Sequence, residues 1–165
     1  MRRITFLLIT CSTFLLLSSR GAFADKTLLR ELMEKKEVTL ADGCRAIYYF
    51  SGGDENEKDI DSIVARLLEM EYIEKSCREK LDERLRRGQF AYMLCKALDI
   101  KGGLTMRIIG TRERYALREV IFLGLMPDVN KAKYVNGMEV LGVLSRAEDY
   151  RSKKGKYRRV RGGAL

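Results

Sequence analysis

The residues best suited to chemistry in this chain are its cysteines, because the sequence contains no histidine. Histidine is the commonest general base and the commonest transition-metal ligand, so the most frequent routes to a catalytic site are missing. A cysteine nucleophile needs an activating neighbour, and Cys44 has only Arg45 beside it in the chain. Cys95 has only Lys96. Both cysteines fall in apolar helical patterns, where a thiol packs as a small hydrophobe. The sequence therefore predicts no enzymatic activity, no cofactor and no small-molecule substrate.

An acidic run at residues 54–61 is the stretch that most resembles a metal site. Its first three residues begin like a calcium-binding loop, which needs oxygen ligands at alternate positions. The pattern then fails, because Lys58 occupies the fifth position and Asp59 stands where glycine is required. Ala65 replaces the closing glutamate. The run is instead predicted to cap the start of a helix, whose dipole favours negative charge, and no metal site is expected.

The first 24 residues have the order of a secretory signal peptide. Two arginines precede an apolar stretch from Ile4 to Leu17, and Ala22-Phe23-Ala24 supplies the small residues that signal peptidase requires. Cleavage is expected before Asp25, with export to the periplasm, the cell envelope or the extracellular space. An uncleaved anchor is one alternative, but the apolar run is shorter than the roughly 20 residues of a spanning helix. A lipoprotein cleaved before Cys11 is another, although most of the apolar stretch follows that cysteine.

Three cysteines remain after cleavage, Cys44, Cys77 and Cys95, in a compartment that permits disulfides. An odd number cannot be fully paired within one chain, so at most one internal bridge is expected. The sequence leaves open whether any two of the three form it. Cys77 lies in a polar loop and is expected to be the exposed thiol.

Charge is distributed unevenly along the chain. Residues 25–150 hold 22 basic and 23 acidic residues, so this body is nearly neutral and is not by composition a polyanion-binding surface. Residues 151–165 hold seven basic residues and no acidic one, and they lack a core-forming pattern, which predicts a disordered basic tail. Such a tail either solubilises the protein or binds an anionic polymer such as lipopolysaccharide, a wall polymer, membrane lipid or nucleic acid. The candidate residues for such binding are Lys153, Lys154, Lys156, Arg158, Arg159 and Arg161.

Apolar residues recur with helical spacing along the body, which predicts the elements that would position any site. One kind of stripe begins at Leu28, Ile63 and Ala116, and a second kind begins at Gly43, Phe90 and Val140. Between the last two copies, the first kind repeats at an offset of 53 residues and the second kind at an offset of 50. The chain therefore contains an internal repeat of a helix, a loop and a helix, with a shortened copy at residues 27–50.

Three such helical hairpins would bury one another's apolar stripes, so the sequence predicts a single all-α domain over residues 25–150. The boundaries carry matching chemistry. Thr39-Leu40-Ala41-Asp42 is typical of an N-cap followed by an acid, and Gly52-Gly53 and Gly102-Gly103 fit helix ends. The stretch 104–109 alternates apolar and polar residues, which predicts a short extended segment.

The segment Leu85–Leu94 opens the second helix of one unit with Arg87, Gly88 and Gln89, and Gly124-Leu125 closes the first helix of the next. These features resemble S-layer homology repeats, in which a helix ending in a Gly-Ile or Gly-Leu step precedes a helix with a Thr-Arg-Ala-Glu-like opening. In that comparison Arg87 takes the place of the signature arginine, and Gly88 and Gln89 replace the alanine and the glutamate. The likeness covers most of residues 27–150.

The resemblance implies a binding role at the cell envelope, because members of that family hold cell-wall polymers in grooves between repeats. Arg87, Gly88 and Gln89 would be the groove residues here. The first and third units lack the signature arginine and the chain has no tryptophan, so the resemblance implies the fold more directly than it implies glycan binding. We expect an exported, non-catalytic envelope module whose partner is a surface polymer or a protein. The alternative is a binder of anionic surfaces that acts through the basic tail.

Overall fold

A computed structural model describes residues 26–103, 106, 108, 110–129 and 133–162. For residues 26, 27 and 155–162 it describes the backbone alone. The predicted signal peptide, including Cys11, and the last residues of the tail lie outside the described residues. Within the described part of the chain, no helix combines the length and the apolar character needed to cross a membrane.

The described residues form six α-helices and one short 3-10 helix, and they contain no β-strand. The α-helices are α1 (Lys26–Glu34), α2 (Leu40–Phe50), α3 (Ile60–Glu69), α4 (Arg87–Ala97), α5 (Glu113–Phe122) and α6 (Gly137–Gly162), and the 3-10 helix Lys75–Lys80 lies between α3 and α4. The prediction of an all-α domain is confirmed. Each of the six apolar stripes in the sequence lies on one of the six α-helices.

The predicted extended segment at residues 104–109 is wrong for the two residues that the structure describes there. Met106 and Ile108 are both helical, and the carbonyl of Met106 accepts a hydrogen bond from the N–H of Gly110 at 3.0 Å. The described residues offer no strand for such a segment to pair with. A lone strand cannot satisfy its backbone hydrogen bonds, whereas a helical turn satisfies them locally.

The helices pack most closely as three pairs: α2 with α3, α4 with α5, and α1 with α6. Each pair joins the second helix of one sequence unit to the first helix of the next, and the pair of α1 and α6 brings the two ends of the domain together. This closure depends on Gly137, whose N–H donates to the carbonyl of Lys35 at 3.0 Å. A Cβ at Gly137 would overlap the carbonyl group of Leu32 and lie 3.1 Å from the Lys35 oxygen, so only glycine permits the approach.

Three equivalent segments, each just before the second helix of a unit, meet inside the domain. Val38, Leu85 and Val135 stand two residues before α2, α4 and α6, and all three side chains are buried. The N–H of Leu85 donates to the carbonyl of Val38 at 2.8 Å, and the N–H of Val135 donates to the carbonyl of Leu85 at 3.1 Å. These bonds hold the beginnings of α2, α4 and α6 close together.

The apolar stripes share one interior. Leu67, Leu94 and Leu144 come from three different helices and are buried, and Ile121 is partly buried against the same core. Removing one leucine side chain from water contributes roughly 1.5–3 kcal/mol, so a few such residues outweigh any surface interaction in this domain. The fold therefore depends chiefly on the packing of α1 to α6 around a common core.

The basic tail differs from its prediction, because α6 continues without a break and residues 151–162 are helical. Two of its cations bind the carboxyl ends of other helices. Arg151 donates to the carbonyl of Phe50 at 3.0 Å, at the end of α2, and its guanidinium lies 4.6 Å from the centroid of the Phe50 ring. Lys154 donates to the carbonyl of Leu98 at 3.0 Å, just after α4. Cations stabilise the unpaired carbonyls at helix carboxyl ends, and these distant partners explain why composition alone predicted disorder.

Candidate binding groove

Asp42 and Glu139 occupy the same place in two of the units, as the third residue of α2 and of α6. Asp42 accepts a hydrogen bond from the N–H of Thr39 at 3.1 Å, and this capping interaction satisfies an N–H that has no partner inside the helix. Its other oxygen binds the ammonium group of Lys35 at 2.7 Å. Glu139 binds the guanidinium of Arg87. Both carboxylates are thus held by cations from within the protein.

Arg87, predicted to bind ligand, lies inside the protein and is 3% exposed. Its guanidinium donates to Glu139 and to the carbonyl of Pro127, and its N–H donates to the carbonyl of Lys133 at 3.0 Å. Burial raises the pKa of Glu139, and the charges of Arg87 and Arg146 oppose this effect. Arg87 therefore joins the start of α4 to the start of α6, and it could contact a ligand only by leaving these partners.

Gln89 holds the equivalent place in α4 and lines a recess of about 90 Å³ between the 3-10 helix and the starts of α4 and α5. The recess has an apolar wall of Leu40, Ile73 and Met93. Gln89 is 7% exposed, and its Oε1 accepts a hydrogen bond from the N–H of Arg86 at 3.1 Å. Its Nε2 donates to none of the described residues. This amide group is therefore available to a group that enters the recess.

Gly88 sets the spacing at the edge of this recess. A Cβ at Gly88 would lie 3.1 Å from the Cβ of Glu113, so glycine lets the start of α5 approach α4. Glu113 binds Arg86 at 3.3 Å, and both side chains line the recess and are 40% exposed. The structure thus gives Gly88 a steric role, and its predicted contact with ligand stays a prediction.

An open trough of about 670 Å³ adjoins the recess and shares Ile73, Glu74 and Tyr92 with it. Lys96 lies in the trough, with its ammonium nitrogen 5.8 Å from the centroid of the Tyr92 ring and 3.9 Å from the carboxylate of Glu71. Burial, followed by the charge of Glu74, raises the pKa of Tyr92, so its hydroxyl remains a hydrogen-bond donor at neutral pH. We call the recess and the trough together the α4 groove.

The α4 groove carries an excess of positive charge. Lys75, Arg78 and Lys80 are exposed on the 3-10 helix, line the groove, and form no ion pair within the described residues. Glu74 and Glu113 are the carboxylates nearest to the recess, and Glu113 is paired with an arginine. The groove therefore favours ligands with some negative charge outside the recess.

Comparison with protein-family models, with curated proteins and with solved structures finds no match to this chain. The resemblance to S-layer homology repeats therefore rests on the pattern of the chain's own residues.

The three described cysteines are all free thiols. Cys44 and Cys95 are buried, and burial raises the pKa of each to about 12. At neutral pH these thiols are protonated, and a protonated thiol is a poor nucleophile. Cys77, predicted to be exposed, lies in the 3-10 helix, where it is half-buried and lines the recess. Burial also raises the pKa of Cys77.

The acidic run behaves as a helix cap, as predicted. Asp59 accepts hydrogen bonds from the hydroxyl and the N–H of Ser62 at 2.8 and 3.0 Å, and these bonds lower the pKa of Asp59. No group of three or more potential metal ligands lies close together in the described part of the chain.

The tail residues predicted to bind an anionic polymer all lie on α6. Side chains are described for Lys153 and Lys154, and both are exposed. Lys154 also binds the carbonyls that follow α4. One of the six residues, Lys154, therefore helps to hold α6 against the end of α4. The binding of an anionic polymer by these six residues stays a prediction.

Gln89 could be located from the sequence, whereas the groove around it could not. Glu113 comes from α5, and its approach to Gln89 depends on how α4 packs against α5. The 3-10 helix Lys75–Lys80 has no apolar stripe that would have revealed it. One signal was present, because glutamine replaces an acid at the capping position that Asp42 and Glu139 occupy in the other units.

Proposed function

We propose that the protein is an exported, non-catalytic binding module of the cell envelope and that the α4 groove is its binding site. The observation that carries the proposal is the side chain of Gln89, which is buried, lines the recess and has an amide Nε2 without a partner among the described residues. Donors in a partly enclosed site bind a ligand more strongly than donors in bulk water. The trough beside the recess offers room for an extended partner, either a surface polymer or a protein segment.

The non-catalytic class is supported by the chemistry of the side chains. The chain has no histidine, and burial raises the pKa of Cys44 and Cys95 to about 12. The envelope location is supported by the signal-like first 24 residues. The resemblance to S-layer homology repeats agrees with both, since members of that family bind envelope polymers without catalysing a reaction.

Sedimentation with isolated envelopes tests this proposal. The mature protein, starting at Asp25, is mixed with purified envelopes and centrifuged, and the bound fraction is measured. Ser76→Trp places a large side chain on an exposed position that lines the recess, and it should lower the bound fraction about tenfold. Ser145→Trp is the matched control, because Ser145 is exposed on α6 and does not line the groove.

Two results would contradict the groove as the binding site. The first is a mature protein that stays in the supernatant at every envelope concentration. The second is an equal bound fraction for the wild type and both tryptophan variants. Arg87→Ala is unsuitable here, because it would leave the buried Glu139 without its partner and destabilise the fold.

The second candidate function is binding of an anionic surface through the end of α6. The observation that favours it is the run of seven basic residues, with no acidic one, in residues 151–165. Deleting residues 155–165 keeps Arg151 and Lys154 in place and should abolish binding to vesicles that contain phosphatidylglycerol. For the intact chain, this binding should weaken steeply as salt is added. Undiminished vesicle binding by the truncated chain would rule the second candidate out.

A further inference from the structure

We infer that the α4 groove binds an extended acidic peptide of a protein partner, with an asparagine or glutamine side chain of that peptide inside the recess. This inference rests on the proposed function and narrows its ligand from any polymer or protein to one chemical class.

The size of the recess limits what can enter it. A volume of about 90 Å³ corresponds to roughly three water molecules at about 30 Å³ each. A carboxamide with its adjoining methylene group has a similar size. An aromatic ring is larger, since cavities that bind benzene measure about 150 Å³. The recess therefore suits one small polar side chain better than a ring.

The polar groups of the recess match an uncharged carboxamide. Gln89 supplies a donor through Nε2, and Glu74 and Glu113 supply carboxylate acceptors. The cations Lys80 and Arg86 balance these two carboxylates, so the recess has no net charge to favour an ion. A carboxamide offers one oxygen acceptor and two N–H donors, which complements this set.

The other two units show why the site lies at Gln89. Asp42 and Glu139 occupy the equivalent capping position, and Lys35 and Arg87 engage them from within the protein. Gln89 carries no charge that could attract such a cation, and it lines the recess with its Nε2 unpaired among the described residues. Among the described residues, α4 is therefore the helix whose capping side chain remains available to a partner.

The trough favours a peptide over a glycan. Sugar rings pack their C–H groups against open aromatic faces, and Tyr92 is the aromatic residue that lines the α4 groove. The ammonium group of Lys96 lies over the Tyr92 ring at 5.8 Å from its centroid, so this face already has a cation against it. A peptide needs no stacking face, because its backbone and side chains can form hydrogen bonds and ion pairs with the polar residues that line the trough.

The positive charge of the trough favours a peptide with acidic residues beside the inserted asparagine or glutamine. Lys75 and Arg78 line the trough and lack ion-pair partners in the described part of the chain. Carboxylates on either side of the inserted carboxamide would meet these exposed cations. Such contacts are screened by salt, so binding should weaken as ionic strength rises.

A selection from random peptides tests the inference. A phage-displayed library of random decapeptides is selected on the immobilised mature protein, and the most enriched peptide is synthesised with a fluorophore for anisotropy titration. Enriched sequences should share an asparagine or glutamine in a fixed register between acidic residues. Replacing that residue by leucine in the synthetic peptide should weaken binding about tenfold or more.

Gln89→Glu is the decisive variant, since its carboxylate can still accept the hydrogen bond from Arg86 but has no N–H to donate. It should weaken binding of the enriched peptide about tenfold or more. Asn136→Asp is the matched control: it makes the same change at the N-cap of α6, where Oδ1 accepts from the N–H of Glu139, outside the groove. This control should bind the peptide as the wild type does.

Three outcomes would overturn the inference. Enriched peptides could lack a shared carboxamide, no peptide could be enriched, or Gln89→Glu could bind as tightly as the wild type. A chitin tetrasaccharide that competes with envelopes while no peptide binds would assign the groove to a glycan. In that case the protein would still sediment with envelopes, so failure of this inference is distinguishable from failure of the proposed function.

Discussion

The guanidinium of Arg87 and the carboxylate of Glu139 form an ion pair inside the protein, which joins the start of α4 to the start of α6. The exposed fractions of the two side chains are 3% and 14%. Asp42 is held by Lys35 at the equivalent place in α2. The same capping position thus joins two units in α6, is held from within the first unit in α2, and in α4 is occupied by Gln89, which lines the recess.

Glu139→Gln should remove one component of the pH dependence of stability. Burial raises the pKa of Glu139 above its ordinary value of 4.5, so this carboxyl binds a proton more tightly in the folded protein than in the unfolded chain. Its contribution to the free energy of unfolding is complete below the unfolded pKa and is lost as the pH rises through the folded pKa. In urea unfolding from about pH 4 to pH 7, the stability of the wild type relative to Glu139→Gln should fall as the pH rises.

Glu69→Gln, at an exposed carboxyl on α3, is the control and should show no such trend. The free energy of unfolding of the wild type minus that of Glu139→Gln should decrease with pH. If it stayed constant or increased, the raised pKa of Glu139 would be contradicted.

Gly137→Ala should destabilise the domain, because the new Cβ would overlap the carbonyl group of Leu32. The backbone on both sides must shift, so we expect a loss of about 3 kcal/mol in the free energy of unfolding, measured by urea denaturation. Gly142→Ala is the control on the same helix, since its Cβ would meet only the side chain of Arg146 at 3.5 Å. That variant should gain about 0.5–1 kcal/mol from helix propensity. Equal effects at both glycines would mean that α1 and α6 do not pack as described.

Lys154→Met should lower the melting temperature, whereas Lys153→Met should leave it nearly unchanged. Lys154 binds the carbonyls of Leu98 and Asp99 at the end of α4, and methionine keeps the helix propensity without the charge. An exposed cation at a helix end contributes about 0.5 kcal/mol, which corresponds to a shift of about 2 °C. Thermal unfolding monitored by circular dichroism measures this shift in melting temperature. Identical melting temperatures for the two variants would show that Lys154 does not stabilise the fold.

Thiol labelling should distinguish Cys77 from the two buried cysteines. With a pKa of about 12, Cys44 and Cys95 hold only about one thiolate in 10,000 molecules at pH 8, and both side chains are buried. Native mature protein should therefore react at one thiol with a disulfide reagent, and unfolded protein at three. Mass spectrometry of the labelled peptides identifies the site. Rapid native labelling of Cys44 or Cys95 would contradict their burial.

The helices could be predicted from the sequence because each apolar stripe is a local pattern. Leu67 on α3 and Leu144 on α6 lie in the core as their spacing required. The pairing of α1 with α6 could not be predicted in the same way. It depends on one glycine meeting a carbonyl group at the other end of the domain, and spacing within a helix carries no information on that contact.

The candidate site was predicted less completely than the fold. The resemblance led to Arg87, Gly88 and Gln89, and the structure separates them into a buried ion-pair partner, a spacer and a groove residue. Their exposure depends on how α4 packs against α5, α6 and the 3-10 helix, and the spacing of residues within α4 carries no information on that packing. The tail was mispredicted for a similar reason, since the carbonyls that hold Arg151 and Lys154 lie at the end of α2 and just after α4.

Closure of the domain by its first and last helices affects the order in which the chain can fold. Leu28 and Leu32 on α1 are buried, and α6 is the helix with which α1 packs most closely. A growing chain that lacks α6 must leave this apolar surface in water. Completion of the core therefore waits until α6 has been synthesised, and the first helix of the domain cannot pack fully before then.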